Sequence, residues 1–186
     1  STSDWFGLHV LAPLCAAFTN EHPRVTIELL TDARLFSLAR READLVARIV
    51  PFDEPDVIQR RLMHVPYALY IQRGAALPIE GSEVRLITMD LGFSEMPDAA
   101  WLREVFPSGR IAFRSNNRHV QAVACASGTG LAVLPCPLGD SHPDLQRLEC
   151  KTTPPGRDVW LGYHRDLRRV PRLRALVDLL MQRIGS

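Results

Sequence analysis

Two periodicities alternate along this chain, and their alternation is the feature that most constrains its fold. The segment Arg24–Leu30 places an apolar residue at every second position, which is typical of a half-buried strand. The segment Asp44–Val50 is apolar and rich in β-branched residues, which predicts a central strand. Helical spacing precedes the first segment at Trp5–Glu21, and a short helical pattern, Leu35–Arg41, lies between the two. Strands that alternate with helices predict an α/β fold with parallel strand pairing.

The alternation continues to the end of the chain, with Pro and Gly at the junctions. The further predicted elements are strands Val57–Leu62, Pro66–Gln72 and Leu86–Met89, helix Pro97–Phe106, strand Arg110–Arg114, helix Asn117–Ser127 capped by Ser115 or Asn116, strand Leu131–Leu134, strand Val159–His164 and helix Val170–Ile184. Residues 74–84 are predicted to be a connection and residues 136–156 to be irregular. The arginines at the start of the last helix are expected to face water.

Composition sets limits on function. The chain has 186 residues, 46% of them hydrophobic, and a formal net charge of +1. A domain that grips nucleic acid is usually far more basic, so we expect no direct DNA binding by this chain. No apolar run approaches the roughly 20 residues that would cross a bilayer, and no signal peptide is evident. The chain opens without Met, so we expect it to be part of a longer protein. We expect that protein to be located in the cytoplasm.

The cysteines and histidines do not have the spacing of a metal site, so we expect no metal and no organic cofactor. Cys15, Cys125, Cys136 and Cys150 are interpreted as packed thiols. A redox pair of Cys125 with Cys136 is the less favoured alternative. The segment Gly128–Val133 resembles half of a dinucleotide fingerprint, but a helix precedes it and a strand follows, which is the reverse of the required order. We therefore reject a nucleotide site. No catalytic motif stands out, and we expect no enzyme activity.

Polar residues fall where predicted strands end and helices begin. Ligands of open α/β sheets bind outside the carboxyl ends of strands, and helix N-termini with nearby arginines suit a carboxylate. The ligand-binding candidates are Thr2, Ser3, Asp4, Asp32, Arg34, Arg48, Asp90, Ser115, Asn116 and Asn117. We expect an anionic or zwitterionic small molecule. The alternative for any one residue is a helix cap or a structural ion pair.

The first helix has an unusual lack of charge, since no Asp, Glu, Lys or Arg occurs between Asp4 and Glu21. Leu8, Leu11, Cys15 and Phe18 form one stripe that is predicted to face the core. The remaining Val10, Leu14 and Ala17 would then need a second cover, which a partner subunit can supply. Pro13 is expected to kink this helix or to mark a local start.

Several stretches, taken in order, resemble the effector-binding domain of LysR-type transcriptional regulators. LAPLCAAFTNEHPRVTIELLTD resembles that family's first helix and second strand, and EADLVARI resembles its D-L-x-x-R strand entry. ASGTGLAVLP resembles its G-x-G turn before L-P, and WLGYHRDLRRVPRLRALVDLL resembles its final strand and helix. Each piece is weakly specific, but their succession runs through essentially the whole chain.

The resemblance implies a periplasmic-binding-protein-like fold of type 2, with two α/β lobes joined by two crossover strands and an effector in the cleft between them. Carried onto this chain, one lobe comprises residues 1–69 plus 162–186 and the other residues 70–161. We expect self-association through the first helix and the second strand. The resemblance also implies an antiparallel homodimer in which the first helix meets a helix near residues 117–127, which adds Val120 to the interface. It implies higher oligomers of the full-length protein, with DNA bound only through a winged helix-turn-helix that would precede Ser1.

Two other classes of function remain open on the same fold. A solute-binding protein of a transporter would be exported, and four cysteines in an exported chain would be expected to form disulfides. An enzyme would need an acid and a base paired in the cleft, and no such pair is evident from the sequence.

Overall fold

The computed structural model describes residues 1–32, 37–38, 40–76 and 84–185. The chain divides into two compact units, Ser1–His64 with Arg157–Ser186, and Val65–Gly156. The chain therefore passes between the units twice, and the predicted lobe boundaries at residues 69 and 162 lie about five residues beyond these two points. Residues 35, 36 and 39 of the predicted helix Leu35–Arg41 lie outside the described residues, and so does the candidate Arg34.

Six α-helices, a π turn, two short 3-10 helices and eight strands make up the described part of the chain. They are α1 (Asp4–Phe6), a π turn (Gly7–Leu11), α2 (Ala12–Glu21), β1 (Val46–Arg48), β2 (Val57–Val65), β3 (Tyr67–Gln72), β4 (Arg85–Thr88), a 3-10 turn (Leu91–Phe93), α3 (Pro97–Val105), β5 (Arg110–Arg114), α4 (Arg118–Ala126), β6 (Leu131–Pro135), α5 (Cys136–Ser141), β7 (Leu145–Leu148), β8 (Arg157–His164), a 3-10 turn (Arg165–Arg169) and α6 (Pro171–Ile184).

The first unit contains a three-stranded sheet in the order β1-β8-β2. β1 pairs antiparallel with β8, so the prediction of a parallel strand over Asp44–Val50 was wrong in its direction of pairing, and the strand is shorter than predicted. The neighbour of β1 is a strand from the far end of the chain, which local periodicity does not reveal. Gly162 of β8 is required here because a Cβ at this position would collide with the Phe52 ring.

The segment at residues 25–30 keeps its predicted alternation without forming a strand ladder. Val25, Ile27 and Leu29 are half-buried, while Thr26 and Glu28 are exposed. Among the described residues this segment ends in a single parallel bridge between Thr2 and Thr31. The Thr2 amide donates to the Leu30 carbonyl at 3.0 Å, and Asp32 donates to the Thr2 carbonyl at 3.0 Å. The predicted strand Arg24–Leu30 was therefore wrong, because a strand needs a paired neighbour along its length.

The first helix begins as predicted, but a π turn over Gly7–Leu11 shifts its register. Leu11 and Phe18 are buried as predicted, Cys15 is half-buried, and Leu8 is 58% exposed. A π turn inserts an extra residue, so side chains before it rotate away from the stripe that follows it. Trp5 and Phe6 take the core positions instead of Leu8. Pro13 lies in the first turn of α2, directly after the π turn, in agreement with the predicted local start.

The second unit contains a mixed five-stranded sheet in the order β5-β4-β6-β3-β7. β4 runs parallel to both β5 and β6, whereas β3 is antiparallel to β6 and β7. The prediction that residues 136–156 are irregular was wrong, because α5 and β7 lie there. Pro137 occupies the first turn of α5, where a missing amide costs nothing. β7 pairs with β3 and is the edge strand in the described part of the sheet.

The last helix packs through the predicted stripe, with Leu173, Val177 and Leu180 buried. Four arginines near its start are exposed, which confirms the prediction that they face water; they are Arg168, Arg169, Arg172 and Arg174. Within the described part of the chain, no helix is both long and apolar enough to span a bilayer.

Candidate functional site

The second unit brings two of the predicted polar segments to one edge of its sheet. β4 and β5 are parallel neighbours, so their carboxyl ends lie at the same edge. The Ser115 amide donates to the Thr88 carbonyl at 3.1 Å and so joins the two strand ends directly. Asp90 follows β4, and Ser115, Asn116 and Asn117 follow β5. We call these four residues the second-unit polar set.

Within this set, two side chains build the turn that starts α4. The Ser115 hydroxyl oxygen accepts from the Asn117 amide at 3.1 Å. The Asn117 side chain accepts from the Val120 amide at 3.0 Å and is the N-cap, so the prediction of a cap at Ser115 or Asn116 was wrong. The better cap sits one residue later because its carboxamide oxygen reaches the third amide of the helix. Asn116, by contrast, is exposed.

Asp90 supplies the negative charge of this edge. It is the N-cap of the 3-10 turn Leu91–Phe93, with Phe93 donating to its carbonyl at 3.2 Å. Its Oδ1 is buried and makes no hydrogen bond to any residue that the structure describes. A carboxylate beside the amides at the start of α4 can bind an ammonium or hydroxyl group, while those amides suit an anion.

The first unit places Thr2, Ser3, Asp4 and Asp32 around the start of α1. Ser3 is the N-cap residue, but its side chain makes no capping hydrogen bond, so the helix-cap alternative does not apply to this side chain. Thr2 is 5% exposed, and its hydroxyl has no hydrogen-bond partner in the described part of the chain. A buried hydroxyl without a partner is uncommon in folded proteins. We call these four residues the first-unit polar set.

Gly7 allows α1 to start this close to the chain at Thr2 and Thr31. A Cβ on Gly7 would collide with the Thr31 Cγ2 and would lie 3.1 Å from the Thr2 Cγ2. The helix therefore approaches the bridge between Thr2 and Thr31 without a side chain in between. The first-unit polar set is held together by this close approach and by the two backbone hydrogen bonds of Thr2.

Arg48 differs from the other candidates because its side chain is used within the first unit. Its Nε donates to the Val50 carbonyl and one Nη to the Pro51 carbonyl, both at 2.9 Å. The same Nη lies 3.3 Å from Glu54, and the guanidinium stacks over the Phe52 ring at 3.8 Å. Arg48 therefore orders the loop after β1, the structural alternative for this residue, and its contact with an effector stays a prediction.

A family model described as the LysR substrate binding domain matches residues 1–185 of this chain. The chain belongs to this family.

Among curated proteins, the chain is similar to the Mau operon transcriptional activator of Paracoccus denitrificans, with 27% identity over 178 residues. The match covers 96% of this chain but 62% of that protein, so this chain spans under two thirds of its relative.

Solved structures confirm the predicted type 2 periplasmic-binding-protein-like fold. The regulatory domain of CrgA, a LysR-type transcriptional regulator from Neisseria meningitidis, matches with a TM-score of 0.81 at 20% identity, covering 99% of this chain and 96% of that one. The CcmR regulatory domain of Synechocystis, solved in complex with 2-PG, matches with a TM-score of 0.77 at 16% identity, covering 100% and 95%.

In this LysR substrate-binding domain, three buried polar residues behind the second-unit polar set escaped sequence analysis. Asp98, Arg118 and Gln121 are 2%, 6% and 0% exposed. The Arg118 guanidinium donates to Asp98 at 2.7 Å and to the Gln121 Oε1 at 3.0 Å. The available signal was the helical spacing of Arg118 and Gln121 with the buried Ala122 and Cys125.

The residues predicted for self-association lie on accessible helix surfaces of the LysR substrate-binding domain. On the first helix, Val10 and Leu14 are half-buried and Ala17 is exposed. On α4, Val120 is 43% exposed, and Val123, which sequence analysis missed, is 58% exposed. Val120 and Val123 are three residues apart and therefore share one face of α4.

The described part of the domain contains no group of three or more His, Cys, Asp or Glu residues that could hold a metal ion. Cys125 and Cys136 are buried, and Cys15 and Cys150 are partly buried. Burial raises the pKa of the Cys125 thiol to about 12 and also raises the pKa of Cys136. Thiols with raised pKa values are poor nucleophiles, which favours the packed-thiol interpretation over a redox pair.

Proposed function

We propose that this chain is the effector-sensing part of a LysR-type transcriptional regulator, and that it binds an anionic or zwitterionic small molecule without catalysing a reaction. Membership of the LysR substrate-binding family and the likeness to the Mau operon activator support the regulatory role. In the whole protein, DNA would be bound by a separate part of the chain. The regulatory domain of CcmR, which was solved with 2-PG, supports a small-molecule effector.

The observation that carries this proposal is the carboxyl edge of β4 and β5. Parallel pairing brings Asp90 and the start of α4 to one edge, and the hydrogen bond from Ser115 to Thr88 fixes the two loops together. An edge that offers both a carboxylate and the amide end of a helix is complementary to a molecule with both charges. Asn116, exposed at the same edge, can donate to an acid group and accept from an amine.

The first-unit polar set would recognise the effector through hydroxyl groups. The Ser3 side chain is not used as a helix cap, and the Thr2 hydroxyl makes no bond within the described residues, so both can bond to a ligand. Asp4 and Asp32 add negative charge that favours a donor group on the ligand. Effector binding would regulate transcription only if it has different affinities for two states of the protein.

A thermal-shift screen of small carboxylates, amino acids and aromatic acids tests this proposal. A ligand at one hundred times its dissociation constant should stabilise the protein by about 2.7 kcal/mol. Asp90→Asn and Asn116→Ala should weaken binding of each hit at least tenfold, because both remove groups from the second-unit polar set. Asn20→Ala, at an exposed position of α2, is the matched control and should leave the affinity unchanged.

Three results would contradict the proposal. A screen in which no acid or amino acid raises the melting temperature would argue against an effector of this class. Hits whose affinity is the same for wild type, Asp90→Asn and Asn116→Ala would place the binding site elsewhere. A hit that is chemically converted over hours, followed by NMR of the ligand, would make the protein an enzyme.

We further propose that the chain forms a homodimer in which the first helix of one copy meets α4 of the other. Val10, Leu14 and Ala17 on one helix and Val120 and Val123 on the other give two apolar surfaces of the kind that partners usually cover. A twofold arrangement makes each contact occur twice, so one substitution acts at two places. Higher oligomers would belong to the full-length protein.

Sedimentation velocity at about 50 µM tests the dimer. Leu14→Glu and Val123→Glu should each convert the protein to monomer with an unchanged circular dichroism spectrum. Leu91→Glu is the matched control, because Leu91 is 77% exposed but lies on neither helix. A wild type that sediments as a monomer, or a Leu91→Glu variant that dissociates as readily as the other two, would contradict the proposed interface.

A further inference from the structure

Gln121 is a fully buried carboxamide at the centre of the second unit, and it contacts both loops of the second-unit polar set. Its Nε2 donates to the Ser115 carbonyl at 2.6 Å, in the loop after β5. The same nitrogen lies 3.1 Å from the Met89 Sδ, next to Asp90 in the loop after β4. One side chain on α4 therefore reaches the ends of two neighbouring strands.

The orientation of this carboxamide is fixed by its other neighbour. The Gln121 Oε1 accepts a hydrogen bond from the Arg118 guanidinium at 3.0 Å. A guanidinium has only donors, so the oxygen of the carboxamide must face Arg118 and the nitrogen must face the loops. A reversed carboxamide would set two donors against each other and two acceptors against each other.

Arg118 is held just as firmly on its far side. Its Nη2 donates to the Asp98 carboxylate of α3 at 2.7 Å, and its Nη1 lies 3.3 Å from the Val133 carbonyl of β6. Its guanidinium carbon lies 5.6 Å from the centre of the Tyr67 ring. The chain Asp98–Arg118–Gln121 thus connects α3 and the middle of the sheet to the two loops.

A second arginine strengthens the loop after β4. The Arg114 Nη1 donates to the Met89 carbonyl at 3.0 Å, so the end of β5 also holds the residue before Asp90. Met89 is buried and offers its sulfur to Gln121 and its carbonyl to Arg114. Met89, which precedes Asp90, therefore has contacts with Gln121 and Arg114, and the Ser115 carbonyl accepts from Gln121.

We propose that Gln121 is a positioning residue of the second-unit polar set, and that Asp98 and Arg118 hold it in the orientation that fixes the spacing between Asp90 and Ser115–Asn117. The inference rests on the proposed function, because the loops after β4 and β5 are the ones proposed to bind the effector. Its physical basis is that a ligand bonded to two loops binds weakly if the loops move independently.

Amide hydrogen exchange followed by NMR on the unliganded chain tests this role without an effector. Gln121→Met keeps the length of the side chain and removes the donor. For each amide we compare the exchange rate in the variant with that in the wild type. We expect this ratio to be at least tenfold larger for the amides of Ser115, Asn117 and Val120 than for the amides of β3 and β6. Gln182→Met, at an exposed position of α6, is the matched control and should change no amide of the second unit.

Gln121→Glu is the second variant and keeps the experiment decisive if Gln121→Met does not fold. The carboxylate still accepts from Arg118 but cannot donate to the Ser115 carbonyl, so the same amides should exchange faster selectively. Exchange that rises uniformly across β3, β6 and the loops would mean that Gln121 only stabilises the core, and unchanged exchange would also overturn the proposal. Selective exchange together with a screen without hits would refute the effector site and leave the positioning role intact.

Discussion

The ion pair between Asp98 and Arg118 gives the sharpest test of how charge is held inside the second unit. The two side chains are joined at 2.7 Å, and their side chains are only 3% and 7% exposed. Asp98→Asn keeps the shape of the side chain and one acceptor oxygen but removes the charge. The Arg118 guanidinium then stays buried but loses the carboxylate charge at 2.7 Å, while the Gln121 Oε1 and the Val133 carbonyl remain among its acceptors.

Loss of one partner from a buried pair costs about 3–5 kcal/mol, mostly from the charge that is left uncompensated. Because Arg118 keeps its contacts with the Gln121 Oε1 and the Val133 carbonyl, we expect a loss near the lower end of this range, about 3 kcal/mol. The matched control is Arg165→Gln, which breaks the Arg165–Asp56 pair in the first unit. That pair is 3.0 Å long but 63% and 46% exposed, so its loss should cost about 0–1 kcal/mol.

Urea denaturation measures both variants, with the slope compared to ensure that the same surface unfolds. Tryptophan fluorescence reports on both units, because Trp5 and Trp160 lie in the first unit and Trp101 in the second, and circular dichroism reports on the backbone of the whole chain. Transitions that coincide by the two probes allow a single free energy of unfolding. An Asp98→Asn variant that loses no more stability than Arg165→Gln would refute the reasoning that burial makes the loss of this ion pair costly.

Two further predictions concern titratable groups. Because burial raises the pKa of Cys125 to about 12, iodoacetamide at pH 8 should label this thiol in urea but not in the native protein. Mass spectrometry of the peptides measures the labelling. Labelling of Cys125 in the native protein within minutes would contradict its burial. The hydrogen bond from Arg147 holds the pKa of the Asp140 carboxyl below its ordinary value of 3.8, so this group adds stability above that value and loses it as pH falls through the lower, native pKa. Urea titrations should therefore show a smaller loss of stability between about pH 5 and pH 3 for Arg147→Gln than for wild type, and equal losses would remove Asp140 from the acid response.

The sequence predicted those parts of the fold that depend on local periodicity. The elements of the second unit from β3 to β6 and the buried stripe of α6 lie within a few residues of their predicted positions, because each has an apolar pattern of the right period. The pairing of β1 with β8 could not be predicted in the same way, since the two strands are separated by more than one hundred residues. The wrong assignment of Leu8 has a different origin, because a single π turn changes which face of a helix is buried.

The candidate site shows the same division between local and distant information. Strand ends and helix starts are local features, so Asp90 and Ser115–Asn117 could be named from the sequence. The structure places them at one edge of the sheet. The use of Ser115 and Asn117 as turn and cap residues is also local, and only the position of the cap was wrong. Arg48 illustrates the opposite case, because its contacts with Val50, Pro51, Glu54 and Phe52 depend on how a loop folds back over the guanidinium.

The helix α4 takes part in both the proposed positioning of the polar set and the proposed dimer. Its amphipathic pattern is inverted, with polar side chains on the inner face and valines on the outer face. Arg118 and Gln121 face the interior with Ala122 and Cys125, while Val120 and Val123 face outward. Buried polar groups are tolerated only when their hydrogen bonds are satisfied, and here Asp98, the Val133 carbonyl and the Ser115 carbonyl accept from them. Valines on the outer face gain stability only if another surface covers them. One helix therefore positions the polar set with its inner face and offers its outer face to a second copy, so substitutions on the two faces should separate loop order from self-association.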